Sequence, residues 1–88
     1  MVSWKLVFTR QAQKDAKKLA AAGLKKNAQA LLAVLQDNPL QSPPHYEKLT
    51  GNLRGAFSRR INLQHRLVYQ IIPAERTVKI LRLWTHYE

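Results

Sequence analysis

The chain has 88 residues, 45% of them hydrophobic, no cysteine, and fifteen Lys and Arg against five Asp and Glu, a formal net charge of +10. This length predicts a single domain spanning residues 1–88, and the hydrophobic content excludes a disordered chain. Without cysteine, disulfides and thiolate zinc sites are excluded, which fits a cytoplasmic location. The charge favours a polyanionic partner such as nucleic acid or an acidic protein, and a purely solubilising charge is the alternative.

No targeting or membrane segment is visible. Residues Met1–Phe8 alternate in polarity and include Lys5, which is unlike a signal peptide. The longest apolar run, Ala30–Leu35, is far below the roughly 18 residues of a membrane span. We therefore expect a soluble protein that starts near Met1 and has no membrane partner.

The first half of the chain predicts a strand and two helices. Val2–Phe8 alternates with a period of two, as a strand does. Thr9 is a suitable N-cap for a helix over Gln11–Ala22, in which apolar residues recur at helical spacing, and Gly23 is a suitable C-terminal break.

A second helix is predicted over Leu24–Asp37, and the Asn-Pro pair that follows it stops the helix. Because only one glycine separates the two helices, they should form an antiparallel hairpin whose apolar stripes cover another surface.

The second half predicts strands. Gln41–Lys48 contains two consecutive prolines and is expected to be an irregular break. Three strand-like runs follow at Gly55–Ile61, Arg66–Ile72 and Thr77–Thr85, with connections short enough for antiparallel hairpins. The predicted fold is α+β, in the order β-α-α-β-β-β, with the helix hairpin packed on one face of a mostly antiparallel, twisted sheet.

The basic residues differ between the two halves. The helices carry lysines, which suit a diffuse positive docking surface: Lys14, Lys17, Lys18, Lys25 and Lys26. The sheet half carries mainly arginines, whose planar guanidinium suits bidentate phosphate contact: Arg54, Arg59, Arg60, Arg66, Arg76 and Arg82. We therefore expect the specific site for a phosphate-bearing partner, such as nucleic acid, on the sheet.

Several kinds of chemistry are excluded by spacing. His45, His65 and His86 lie about twenty residues apart without paired carboxylates beside them, so no metal-ligand pattern is present. Neither a glycine-rich phosphate loop nor a nucleophilic serine motif occurs. Acid–base chemistry on a substrate with its own nucleophile remains, and RNA supplies one in its 2′-hydroxyl. Such cleavage needs a base, a cation for the phosphate and an acid for the leaving oxygen.

Among the five carboxylates, only Glu47 is predicted in a loop leading directly into the sheet. Taken alone, a loop glutamate is more often a solvated charge than a base. By themselves, His65 is more typical of a turn residue and His86 of a frayed terminal side chain. A cross-strand ion pair is the default for Arg66, but five carboxylates are too few to pair with every arginine.

A longer pattern resembles a known family. Residues Glu47–Ile61 read EKLTGNLRGAFSRRI, His65–Tyr69 read HRLVY, and His86-Tyr87 follows near the end. This pattern resembles the YoeB branch of the RelE toxin superfamily closely over Pro44–Tyr87, whereas the first forty residues agree only in the order of their elements.

The resemblance implies an activity and roles for six residues. Toxins of this branch are ribosome-dependent endoribonucleases that cleave mRNA in the ribosomal A site without a metal or cofactor and leave a 2′,3′-cyclic phosphate. It implies Glu47 as general base, Arg66 as the phosphate-binding cation and His86 as general acid. It implies Tyr87 as a substrate contact, and Arg59 and Lys48 are the further candidates for RNA contact.

The resemblance also implies partners. These are mRNA, the 16S rRNA region of the A site and a cognate YefM-like antitoxin, and a homodimer is left open. Two positions depart from the family's pattern. Thr50 stands where a lysine is frequent, and Lys48 replaces that lysine only in part. Glu88 adds a carboxylate after Tyr87, where the family often ends.

Two alternatives stay open. A ParE-like toxin keeps the fold and inhibits gyrase without nuclease activity, but its relatives generally lack the pairing of Glu47 with a terminal His86. A noncatalytic RNA- or ribosome-binding protein would use the same positive charge, although a carboxylate in its groove would give it nothing.

Overall fold

The computed structural model describes residues 3–86, and of Thr85 and His86 it describes the backbone alone. Two helices and five strands occur in this part of the chain, together with two short 3-10 turns. Their bounds in chain order are β1 Lys5–Phe8, α1 Arg10–Ala21, α2 Lys25–Asp37, β2 Tyr46–Lys48, β3 Ala56–Arg60, β4 His65–Ile72 and β5 Thr77–His86.

The strands form one five-stranded sheet in the order β1-β5-β4-β3-β2. The first strand pairs parallel with β5, with Lys5 opposite Thr77, and the other three pairings are antiparallel. The two helices carry the chain from β1 at one edge of the sheet to β2 at the other, and the antiparallel β2, β3 and β4 bring it back to β5 beside β1. The predicted α+β architecture with helices on a mostly antiparallel sheet is confirmed.

The signals at the helix ends act as expected, with shifts of one residue. The Thr9 hydroxyl accepts a hydrogen bond from the Ala12 backbone N–H at 3.0 Å. The first helix therefore starts at Arg10, one residue before the predicted start at Gln11. Gly23 adopts a φ of +77°, a conformation that L side chains rarely take, and it separates the two helices.

The segment expected to be an irregular break contains a short strand, which corrects that prediction. Tyr46–Lys48 forms β2 at the edge of the sheet and pairs with β3 alone. Pro43 and Pro44 precede this strand and do not interrupt it. The sequence did not reveal it because three residues are too few to show the alternation of polar and apolar side chains that marks a strand. The Tyr46 ring also packs edge-to-face on Phe57, with ring centroids 5.7 Å apart.

The helices cover one face of the sheet and leave the other open. The main core joins helix residues such as Leu19 and Leu35 to strand residues such as Leu67, Tyr69 and Ile80. Since successive strand residues point to opposite faces, Val68 points away from the helices. It forms a small second cluster with Leu49 and Ala56, partly covered by Leu81. The open face beside this cluster carries the candidate site.

In the described part of the chain, neither helix has the length and apolar character needed to cross a membrane.

Candidate functional site

Glu47 and Arg66 meet across the open face of the sheet. Glu47 is the middle residue of β2, and Arg66 is the second residue of β4, with β3 between them. Neighbouring strands are about 4.8 Å apart, so two long side chains are needed to bridge a strand. Arg66 Nη1 donates a hydrogen bond to Glu47 Oε1 at 2.5 Å, within an ion pair. The proposed base and the proposed phosphate-binding cation are therefore in contact.

These two side chains border a groove of about 270 Å³. Its lining consists of Pro44, His45, Glu47, Ser58, Arg60 and Arg66. Arg60 lies directly opposite Arg66 in the register of β3 and β4, so two guanidinium groups flank one carboxylate. Such a groove suits a phosphodiester, because the arginines can bind its oxygens while the carboxylate accepts a proton.

Arg60 lines the groove, although the sequence named it only among the sheet arginines and gave it no role of its own. The signal for it was the period of two in β3: Phe57 and Ile61 are apolar, which assigns their face, and with it Arg59, to the core. Ser58 and Arg60 then share the open face. The adjacent arginine, Arg59, was instead the one predicted to contact RNA.

The expectation that Arg59 contacts RNA is wrong, because its side chain is fully buried. The guanidinium donates to three backbone carbonyls, those of Pro39, Gln41 and Pro44, at 2.6 to 3.0 Å. Its Nε donates to the Tyr69 hydroxyl at 3.1 Å. Arg59 therefore anchors the segment before β2 to the core, and phosphate cannot reach it without local unfolding.

The charges around Glu47 lower the pKa of its carboxyl. The hydrogen bond and the positive charge of Arg66 contribute most, and His45 and Arg60 lower the pKa further against a small opposing effect of burial. Glu47 is therefore ionised at neutral pH. While Arg66 holds it, however, the carboxylate is a weaker base than a free glutamate.

The structure does not bring Lys48 into the groove. It follows Glu47 on β2, is exposed, and lies opposite Phe57, which packs against the main core. Because consecutive strand residues face opposite ways, Lys48 points toward the helix side of the sheet edge. Thr50 is exposed just after β2.

The terminal candidates are described only in part. The backbone of His86 pairs with His65 at the end of β5, and its neighbour Thr85 pairs with Arg66. The backbone of His86 thus lies on the strand next to Arg66. It is three strand spacings, roughly 14 Å, across the sheet from Glu47 and about three residues, roughly 10 Å, further along the strands. The His86 side chain and Tyr87 lie outside the described residues.

One further sheet arginine is committed elsewhere. Arg82 Nε donates to Asp15 Oδ2 at 2.8 Å, and this carboxylate is fully buried. The sheet arginines therefore divide into those that line the groove and those that hold the fold. Among the described residues, no group of three side chains suited to hold a metal ion converges.

Comparisons with known proteins identify the family. A model of the YoeB-like toxins of bacterial type II toxin–antitoxin systems matches residues 8–87 of the chain. The chain belongs to this family.

Individual relatives agree with this assignment. Toxin YoeB of Synechocystis sp. is 38% identical over 65 residues, covering 74% of this chain and 73% of that protein. The YoeB/ParE toxin from Agrobacterium tumefaciens has a TM-score of 0.84 at 26% identity, covering 94% of this chain and 99% of that one. A YoeB–YefM complex from Staphylococcus aureus gives 0.80 at 34%, with 96% and 98% covered, and a structure of the YoeB dimer from the same organism gives the same values.

Proposed function

We propose that this YoeB-like toxin is a ribosome-dependent endoribonuclease that cleaves mRNA in the ribosomal A site by acid–base catalysis. The observation that carries the proposal is the contact between Glu47 and Arg66 in an open groove that Arg60 also lines. A carboxylate between guanidinium groups is what a reaction at a phosphodiester requires, and the net charge of +10 attracts the polyanion.

Glu47 begins the reaction as general base. When a phosphate occupies Arg66, its negative charge offsets the guanidinium that lowers the pKa of Glu47, so the carboxylate becomes more basic where a proton must be taken. Glu47 removes the 2′-hydroxyl proton, and the 2′-oxygen attacks phosphorus. Arg66 and Arg60 stabilise the charge that accumulates on the phosphate oxygens.

His86 completes the reaction as general acid. The bond from phosphorus to the 5′-oxygen breaks, and a protonated imidazole supplies the proton that this oxygen needs. The products are a 2′,3′-cyclic phosphate and a 5′-hydroxyl. A backbone separation of roughly 17 Å between Glu47 and His86 is one that two long side chains and a bound nucleotide can span. Tyr87 stacks on the substrate nucleotide in this proposal, and no metal or cofactor takes part.

The toxin acts in the cytoplasm as a single domain over residues 1–88 and is neutralised by a cognate YefM-like antitoxin. The S. aureus YoeB–YefM complex supports such a partner, and the S. aureus YoeB dimer supports self-association. An acidic antitoxin segment would be drawn to the positive charge of the toxin.

The test is 5′-end mapping of transcripts in a translating extract, with and without ribosomes. We expect cuts at A-site codons with ribosomes present, and Glu47→Ala, Arg66→Ala and His86→Ala should each lower the cleavage rate by about 10²–10⁴-fold. Glu75→Ala removes an exposed carboxylate outside the groove and should leave the rate unchanged. Ribosome binding should survive the Glu47 and His86 substitutions.

The alternatives give other results in the same experiment. Gyrase inhibition without RNA cleavage would replace the proposal with a ParE-like activity. Ribosome binding without cleavage would make the protein a noncatalytic binder. Full cleavage by the His86→Ala protein would remove that residue from the mechanism while leaving the nuclease activity in place.

A further inference from the structure

Ser58 is a buried hydroxyl at the candidate site to which no role has yet been given. It is the middle residue of β3, is only 1% exposed, and belongs to the lining of the groove. In the register of the sheet it lies directly opposite Glu47. Its Oγ is buried without a hydrogen-bond partner among the described residues.

A buried hydroxyl without a partner is unfavourable, because the group has lost its hydrogen bonds to water and gained none. Packing alone would be served as well by alanine, and Ala56 holds the same face of the same strand two residues earlier. The hydroxyl is thus best accounted for by a partner that it gains in another state of the site. Glu47 is the nearest candidate by register.

We propose that Ser58 is a positioning residue that takes over the Glu47 carboxylate when a substrate phosphate occupies Arg66. In the described state the carboxylate accepts from Arg66, and the Ser58 hydroxyl makes no hydrogen bond to a described residue. A phosphate binds the guanidinium, the ion pair opens, and the carboxylate turns to accept a hydrogen bond from Ser58 Oγ. This inference rests on the proposed nuclease function and adds a residue to it.

The geometry permits this exchange without movement of the backbone. Residues directly opposite each other in an antiparallel pair have Cβ atoms about 4.5–5.5 Å apart, so a serine hydroxyl is within reach of a glutamate carboxylate after side-chain rotation. The exchange also suits the chemistry. A neutral donor fixes the carboxylate in place but depresses the pKa less than a guanidinium does, so the base is held and is more basic than in the ion pair.

The test compares Ser58→Ala with the unchanged protein in single-turnover cleavage of mRNA on programmed ribosomes. The maximal rate should fall about tenfold, as expected for one hydrogen bond to a charged group, while the half-saturating toxin concentration stays within about twofold. The acid limb of the pH–rate profile should move to higher pH, because the lost hydrogen bond stabilised the ionised form of Glu47. A purely structural role would not move this limb.

Two further variants serve as controls. Ser58→Thr retains the hydroxyl on a strand, where a β-branched residue is favourable, and should recover most of the rate. Thr77→Val removes another buried hydroxyl, one that donates to the Glu75 carbonyl outside the groove, and should leave the pH profile unchanged. Urea unfolding of each variant shows whether it is folded.

A measurement on the free protein separates the two states of the site. Carbon-13 NMR titration of the Glu47 carboxyl should give the same pKa in the unchanged protein and in the Ser58→Ala variant, since Arg66 and not Ser58 holds the carboxylate there. A difference between the two free proteins would overturn the exchange of partners.

The outcomes separate a failure of the role of Ser58 from a failure of the proposed nuclease function. Full rate and an unchanged pH profile for Ser58→Ala, in an extract where the unchanged protein cleaves mRNA, would overturn the role of Ser58 and leave the nuclease intact. If Ser58→Ala raised the half-saturating toxin concentration and left the acid limb of the pH–rate profile unshifted, Ser58 would be a direct contact of the RNA. That result would also overturn its positioning role. Absence of cleavage by the unchanged protein would overturn both.

Discussion

At the scale of single residues, Asp15 is the carboxylate on which the most contacts depend. It is fully buried in α1, and its oxygens accept hydrogen bonds from the Arg82 side chain and from the backbone N–H groups of Leu83 and Trp84, at 2.8 to 3.2 Å. Gln11 donates to it from one helical turn earlier at 3.0 Å. One side chain thus fixes the first helix to the strand that ends at the proposed acid.

Removal of this carboxylate should destabilise the fold. Asp15→Ala leaves two backbone N–H groups and the Nε of Arg82 without their acceptor, and we expect the free energy of unfolding to fall by about 2–4 kcal/mol at neutral pH. Arg82 is 42% exposed, so water moderates its share of the loss. Urea unfolding measures the change. Asp37→Ala, at the exposed end of α2, should stay within about 0.5 kcal/mol.

The same residue predicts a pH dependence. Burial would raise the pKa of Asp15, but the hydrogen bonds from Arg82, Leu83 and Gln11 outweigh it and hold the pKa below its ordinary value. The stabilisation is therefore fully present above the unfolded-state pKa of about 3.9 and is lost as pH falls through the lower, folded-state pKa. The stability difference between the unchanged protein and Asp15→Ala should narrow below about pH 4. A gap that widened there would contradict this account.

At the scale of elements, the segment between α2 and β2 is held by a neighbouring strand. Residues 39–45 lack helix or strand, and three of their carbonyls accept hydrogen bonds from the buried Arg59 of β3. The Tyr69 hydroxyl adds a bond to the Pro39 carbonyl at 2.9 Å. Since this segment leads directly into the strand that carries Glu47, the hydrogen bonds of Arg59 help to hold that strand in position.

Adjacent arginines in β3 provide a matched test of this role. Arg59→Met leaves the Gln41 and Pro44 carbonyls without their donor and the Pro39 carbonyl with the Tyr69 hydroxyl alone. We therefore expect the free energy of unfolding to fall by about 3 kcal/mol and proteolysis within residues 39–45 to become faster. Arg60→Met, one residue later and exposed, should change stability by less than about 0.5 kcal/mol while it weakens RNA binding. Equal stability of the two variants would show that the carbonyls find other donors.

At the scale of the whole molecule, the charged side chains differ in whether they form ion pairs. Within residues 3–86, two carboxylates, Asp15 and Glu47, are in ion pairs with arginines, whereas the lysines of both helices are exposed. The molecule therefore has a positive helix surface, formed by Lys14, Lys17, Lys18, Lys25 and Lys26, and a groove with arginines on the other face of the sheet. A field of this sign accelerates the approach of acidic partners.

This field predicts how capture by the antitoxin depends on salt. The association rate with the cognate antitoxin, measured by stopped-flow fluorescence, should fall at least about tenfold between low ionic strength and about 0.5 M NaCl, because the ions screen the attraction. Replacing Lys14, Lys17 and Lys18 with glutamine should make this dependence shallower. A rate indifferent to ionic strength would remove electrostatic steering from the proposal.

The sequence by itself determined the elements whose signals are local. A capping hydroxyl at Thr9, a glycine at position 23 and the alternation of the last three strands depend on neighbouring residues, so the fold class and the helix ends could be predicted within a few residues. The pattern around Glu47 and Arg66 also indicated the family. These features need no knowledge of distant contacts.

Only the tertiary structure decided which side chains serve the fold and which remain for chemistry. Arg59 and Arg60 are adjacent and of the same type, yet only Arg59 of the two is buried. Its side chain points to the face of the sheet that the helices cover, where backbone carbonyls accept its hydrogen bonds. The Asp15–Arg82 pair joins residues 67 positions apart, and β2 exists only because β3 lies beside it. The period of two in β3 places the two arginines on opposite faces, but their burial and their hydrogen-bond partners depend on the distant residues packed against each face.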